Sequence, residues 1–116
     1  MSISVNAIAG WVEITKTQTN SFYYDPTTMK RTGNIIRVWR LRDNISPIKN
    51  GAYSSRMLVE VDCDSGQQRT IEYSYHTGHM GDGEIIERNT TVSQWFLVPT
   101  LPNTVQEISK KLFCQQ

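Results

Sequence analysis

Tyr53-Ser54-Ser55-Arg56-Met57-Leu58-Val59-Glu60-Val61-Asp62-Cys63-Asp64-Ser65-Gly66-Gln67-Gln68-Arg69-Thr70-Ile71-Glu72-Tyr73-Ser74-Tyr75-His76-Thr77 is the stretch whose reading decides the fold. In an extended chain Met57, Val59, Val61 and Cys63 point one way, while Arg56, Leu58, Glu60 and Asp62 point the other. Asp64-Ser65-Gly66 then supplies a hairpin turn. From Arg69 to Thr77 the chain returns with Ile71, Tyr73 and Tyr75 on one face and Thr70, Glu72 and Ser74 on the other. That is the cleanest two-residue period in the sequence. Two long antiparallel strands therefore sit at mid-chain, and the flanking segments extend them.

Upstream, Ile35 to Asp43 carries apolar groups on both faces: Ile35, Trp39 and Leu41 with Arg37 on one, Ile36 and Val38 with Arg40 on the other. Such a strand belongs in the middle of a sheet covered on two sides. Trp11–Thr17 and Ser21–Asp25 form a hairpin about the polar turn Gln18-Thr19-Asn20. Pro26 ends it, since proline cannot donate to a ladder. Pro26-Thr27-Thr28-Met29 suits a short helical turn, and Thr32-Gly33-Asn34 a turn. Downstream, Glu84–Arg88 is a short strand. Trp95-Phe96-Leu97-Val98 is a last apolar run, closed by Pro99 and Pro102.

The C-terminus holds the one clear helix. Thr104-Val105-Gln106-Glu107 has capping-box spacing. Val105, Ile108 and Leu112 recur as an apolar stripe. Lys110 and Lys111 fall in the last turn, where positive charge suits the helix dipole. The expected class is α+β, mainly β: an antiparallel sheet of about six strands with a C-terminal helix packed on it. Residues 10–116 are read as a single domain. Residues 1–9 are read as a signal-peptide remnant or a disordered N-terminus, because Ala7-Ile8-Ala9 is a small-x-small triplet of the kind that precedes signal cleavage.

Composition narrows the function. The 116 residues carry 12 Lys and Arg against 11 Asp and Glu, a net charge of +1, so no basic excess marks a nucleic-acid partner. No apolar run approaches the roughly 18 residues of a transmembrane segment. Two cysteines, Cys63 and Cys114, are too few for a structural zinc site unless histidines join them. A pair suits a disulfide in an oxidising compartment; the alternative is two buried free thiols in a cytosolic protein. No cofactor is expected.

The stretch that most resembles a chemical site is His76-Thr77-Gly78-His79-Met80-Gly81-Asp82-Gly83-Glu84. Imidazole and thioether suit copper, and carboxylates widen the choice, so His76 and His79 are candidate metal ligands. Their spacing matches no established metal motif, and the competing reading is a hairpin loop with solvated histidines. No G-x-S-x-G elbow and no phosphate-cradling glycine motif is present, so no catalytic residue is assigned. Three tryptophans, three phenylalanines and five tyrosines could form a stacking platform. Without a basic excess, core and cross-strand pairing is the better account of them.

The ordered set Trp11-Val12, Tyr23-Tyr24-Asp25-Pro26-Thr27-Thr28, Ile36-Arg37-Val38-Trp39-Arg40-Leu41, Leu58-Val59-Glu60-Val61-Asp62-Cys63, Tyr73 through Met80-Gly81, Trp95 and Cys114 resembles the bacterial surface-adhesin protein E-like family. The resemblance spans Trp11 to Cys114. It implies an antiparallel sheet with a C-terminal helix, a Cys63–Cys114 disulfide, and export across the inner membrane of a Gram-negative bacterium. The namesake members are surface lipoproteins that bind host extracellular proteins such as vitronectin and laminin, and they can dimerise. No lipidation cysteine stands near the N-terminus here, so a periplasmic or secreted location is expected rather than surface attachment.

The leading expectation is an exported, non-enzymatic binding module with a protein ligand, host extracellular-matrix proteins being the class the resemblance implies, and with homodimerisation through a sheet edge. The alternatives are a periplasmic inhibitor or small-ligand-binding protein that uses the Gly78–Gly83 loop, and a metal or enzymatic site at His76 and His79.

Overall fold

Ile35–Asn44 (β4) and Ser54–Asp62 (β5) pair antiparallel along their length, with Val38 opposite Val59 and Ile36 opposite Val61. β-branched side chains pack well on a pleated surface, and these four are buried together. The structure, a computed structural model, describes residues 10–115. The expectation for residues 1–9 lies outside the described residues.

The remaining strands add on either side of this pair. They are Val12–Lys16 (β1), Asn20–Tyr24 (β2), Lys30–Thr32 (β3), Gln67–His76 (β6), Ile85–Asn89 (β7) and Phe96–Leu97 (β8). The main order is β1-β2-β4-β5-β6-β7, and every pair is antiparallel. β3 shares the outer edge of β4 with β2, and β8 lies against the start of β6. About six strands and a terminal helix were expected, and six main strands with the helix are found. β3 was read only as the approach to a turn. Its Lys30, Arg31 and Thr32 are all exposed and carry no apolar alternation. It exists because Gly33, at φ +60°, folds the chain back onto Ile35–Arg37.

The strand with the cleanest alternation is broken by a bulge. Leu58 faces Glu72 but Val59 faces Thr70, so Ile71 is the extra residue. Thr70 therefore shares a face with Met57, and its hydroxyl lies 3.9 Å from the Met57 sulfur. The expected grouping of Thr70 with Glu72 and Ser74 does not hold.

The helix, Val105–Cys114 (α1), starts as the sequence indicates. The Glu107 amide donates to the Thr104 hydroxyl at 3.3 Å. The Glu107 carboxylate reaches back one residue further than a simple capping box, to the Asn103 amide at 2.9 Å, because the Thr104 amide donates to the Leu101 carbonyl. The apolar stripe is rotated from expectation. Ser109 and Phe113 are the buried residues, while Val105, Ile108 and Leu112 are half-buried at the flanks. Phe113 meets Tyr24 edge-on, with ring centroids 5.4 Å apart, above Ile36, Val38, Val59 and Val61.

Cys63 and Cys114 are joined in a disulfide, with Cα atoms 5.6 Å apart and a sequence separation of 51. The bridge ties the end of α1 to the turn after β5. Loop-closure entropy puts its contribution at about 4 kcal/mol as an upper guide. Replacing Cys63 and Cys114 together by serine is expected to lower stability by about 2–4 kcal/mol, read as a fall in thermal midpoint on the order of 10 °C. An unchanged midpoint would show that packing of Phe113 alone holds the helix.

Candidate functional site

Two faces flank the sheet. One carries α1. The other carries Arg37, Trp39, Leu41, Arg56, Glu60 and Arg69, and is called the arginine face below. Its tryptophans are half-buried and stacked on guanidinium groups. Arg56 lies between Trp39 at 4.8 Å and Trp11 at 5.8 Å, and Arg69 lies 4.6 Å from the Trp95 ring centroid. The three tryptophans thus pair with arginines on this face, a partner the sequence reading did not assign.

Glu60 is the anchor of that face, with a side chain only 11% exposed. Arg37 and Arg69 each reach it, at 3.0 and 2.8 Å. Burial acts to raise its pKa, but hydrogen bonds from Arg69 and Arg37 outweigh this and hold the carboxyl below its ordinary value. Glu60→Ala leaves two guanidiniums facing each other without an anion. A loss of about 1–2 kcal/mol is expected by chemical denaturation, discounted because both arginines touch solvent. Restoration by Arg69→Leu in the same chain would identify charge repulsion as the cause.

The residues singled out as metal ligands are positioned by the arginine face at its other end. His76, at the end of β6, is buried, and its Nε2 lies 2.8 Å from the Ser74 hydroxyl. His79 sits in a short 3-10 turn, His79–Gly81, and is exposed. Its Nδ1 lies 3.2 Å from both Asp43 carboxylate oxygens, and its ring tilts against Tyr53 at 4.7 Å. Each imidazole therefore has its own partner instead of a shared one. Among the described residues no group of three or more His, Cys, Asp or Glu is placed to hold a metal ion.

The glycine-rich loop is folded back onto the sheet. The Ser54 hydroxyl donates to the Gly78 carbonyl at 2.6 Å and accepts from the Gly81 amide at 2.8 Å, while Asp43 accepts from the Met80 amide at 2.8 Å. Met80 takes φ +57°, an unusual conformation held by these contacts. At Gly83, φ +79°, a side chain would run into the Thr77 hydroxyl. The loop is thereby held in one conformation against the sheet.

The main sheet ends in two edge strands, β1 and β7, and β7 is the one with two adjacent exposed isoleucines. It pairs only with β6 among the described strands, and its outer side is free. Ile85 is 51% exposed and Ile86 is 40% exposed. Edge strands present unpaired amides and carbonyls, and natural edges are usually blunted by charge or proline. β7 carries two large apolar residues at its start, followed by the charged Glu87 and Arg88.

The surface-adhesin protein E family model matches residues 11–115. The chain belongs to the surface-adhesin protein E family. Its fold is similar to the solved structure of Haemophilus influenzae protein E in crystal form II, with a TM-score of 0.65 and 14% identity over 92% of this chain and 88% of that one. It is also similar to the crystal structure of protein E from non-typeable Haemophilus influenzae, with a TM-score of 0.60 and 14% identity over 92% of this chain and 76% of that one. At such identity the likeness speaks to the fold alone. No curated protein gives a significant match.

In this surface-adhesin family member the His76 ring works as a buried neutral group. Burial, then the nearby Arg56, lowers its pKa, while Asp82 acts in the opposite direction. The folded state therefore resists protonation where the unfolded chain accepts a proton, near pH 6.5. This contribution is present above that pH and lost as pH falls through and below it. The thermal midpoint is expected to drop by a few degrees more between pH 7.5 and pH 5.5 in the wild type than in His76→Gln. Equal drops would place the acid sensitivity elsewhere.

Proposed function

We propose that the protein is an exported, non-enzymatic binding module of the adhesin type that captures an extended segment of a protein ligand along the outer side of β7. The free edge with exposed Ile85 and Ile86 carries this reading. An added strand would take its affinity from main-chain hydrogen bonds and its selectivity from side chains meeting the two isoleucines. Family membership supports a protein ligand, and host extracellular-matrix proteins are the first class to try. The disulfide suits a location outside the cytoplasm, in the periplasm or beyond it. A second copy pairing its own β7 with this one would use the same groups and give a homodimer.

Saturable binding to immobilised vitronectin or laminin is expected by surface plasmon resonance. Ile85→Lys with Ile86→Lys should weaken it about tenfold or more, because charge blunts an edge. The thermal midpoint should stay near that of the wild type, since both side chains already face solvent. Undiminished binding by this variant would move the ligand off β7, and absence of saturable matrix binding would remove the adhesive reading. Sedimentation of both proteins shows whether the edge pairs with itself.

A further inference from the structure

The helix face holds a second feature, independent of β7. Helix α1 covers the Phe113 end of this face and leaves a groove of about 310 Å³ beside its first turn. Phe22, Met57, Phe96 and Val105 give the groove apolar walls, and Arg40 and Arg42 bring it positive charge. Its other lining side chains are uncharged, so no carboxylate faces it. The volume lies at the low end of the range of about 300–1,000 Å³ for small-molecule sites.

Arg40 is the unusual residue. It projects from β4 on the same face as the buried Ile36 and Val38, and is itself half-buried. Its guanidinium donates to the Ser109 hydroxyl at 3.2 Å and lies 5.9 Å from the Phe113 ring centroid. Among the described residues no carboxylate pairs with it. Burial lowers its pKa to about 10, which leaves it protonated at neutral pH. A partly desolvated cation without an anion is unfavourable for folding, and a methionine would fill the same space without that penalty. Arg40 also lines a smaller cavity of about 20 Å³ together with its partners Ser109 and Phe113 and with Lys110, which adds a third positive group nearby. Arg42 is exposed and lies 5.9 Å from the Phe22 ring, with the Asn20 side-chain oxygen at 3.4 Å as its one hydrogen-bond partner among the described residues. Two guanidiniums at an apolar trough, neither matched by an acid, complement an amphipathic anion.

We infer that this groove binds a medium-chain carboxylate, the anion resting on Arg40 and Arg42 and the acyl chain lying over Phe22, Met57, Phe96 and Val105. Arg40 supplies the fixed charge, because its position is set by Ser109 and Phe113 before any ligand arrives. Arg42 supplies the adjustable one.

The test is a titration of the isotopically labelled protein with octanoate and decanoate, followed by amide chemical shifts at pH 7.4. Saturable shifts centred on Phe22, Met57, Phe96 and Val105 are expected, tighter for decanoate, and octanoate should bind about tenfold more tightly than 1-octanol. Arg42→Gln should weaken octanoate about fivefold to tenfold with the fold intact, as its side chain is exposed. Arg40→Met should abolish the preference for octanoate over octanol without lowering the thermal midpoint. Equal affinity for acid and alcohol, shifts centred away from the groove, or an Arg42→Gln variant with wild-type affinity would each overturn the assignment. So would an Arg40→Met protein that loses stability yet keeps its preference for the acid. Tighter binding of a short apolar peptide with a free C-terminus than of decanoate would give the groove to peptide ends instead.

Discussion

Phe113 is the side chain on which the helix face depends. It lies edge-on to Tyr24 from β2 and above the four β-branched residues of β4 and β5, so it joins β2 to the central pair. The disulfide one residue later keeps it there. A ten-residue helix has little stability of its own in water, and a terminal one frays readily. Cys114 removes that freedom by attaching the last turn to the end of β5. Once Phe113 is fixed, Ser109 is fixed one turn earlier, and Arg40 is held beneath both. The groove beside the first turn is the part of the sheet that this one-helix cover does not reach.

The arginine face is organised by different physics. No helix lies over it, so its large groups shelter one another. Tryptophan rings cover guanidinium planes, and Glu60 is shared between Arg37 and Arg69. The loop after β6 adds a cover at the far end, tied down by Ser54 and Asp43. The result is a sheet with no bare apolar face on this side, although one helix serves the whole domain.

Much of this was legible in the sequence, and the lapses have physical causes. Alternation located β5 and β6, because strands half-buried against a core must segregate their side chains, and apolar groups on both faces marked β4 as central. It failed at Ile71, because a bulge shifts the phase by one residue and leaves no mark in residue type. It missed β3, which owes its existence to pairing with β4 and not to its own exposed side chains. The capping signal of α1 was clear, but the stripe centred on Val105, Ile108 and Leu112 was rotated because Ser109, a polar residue, is buried under the constraint of Arg40. That arginine was visible as a charge among Ile36 and Val38, and a charge on a core face is a signal worth following. The histidines drew attention by type alone. Their separate partners, Ser74 and Asp43, come from strands far apart in sequence for one ring and from the same strand for the other, which no spacing rule reveals.

The disulfide also divides the chain mechanically. Residues from Cys63 to Cys114 form a closed covalent ring, and β6, β7, β8 and α1 all lie within it. Tension applied along the chain from its N-terminal part passes across the bridge, so a sequence separation of 51 residues, roughly 170 Å of extended contour, is withheld from stretching. A pull delivered at β7 enters the ring and leaves it by two routes, through β6 and through the helix. The strand that offers its edge to other molecules is thereby anchored to the rest of the chain by two covalent routes instead of one.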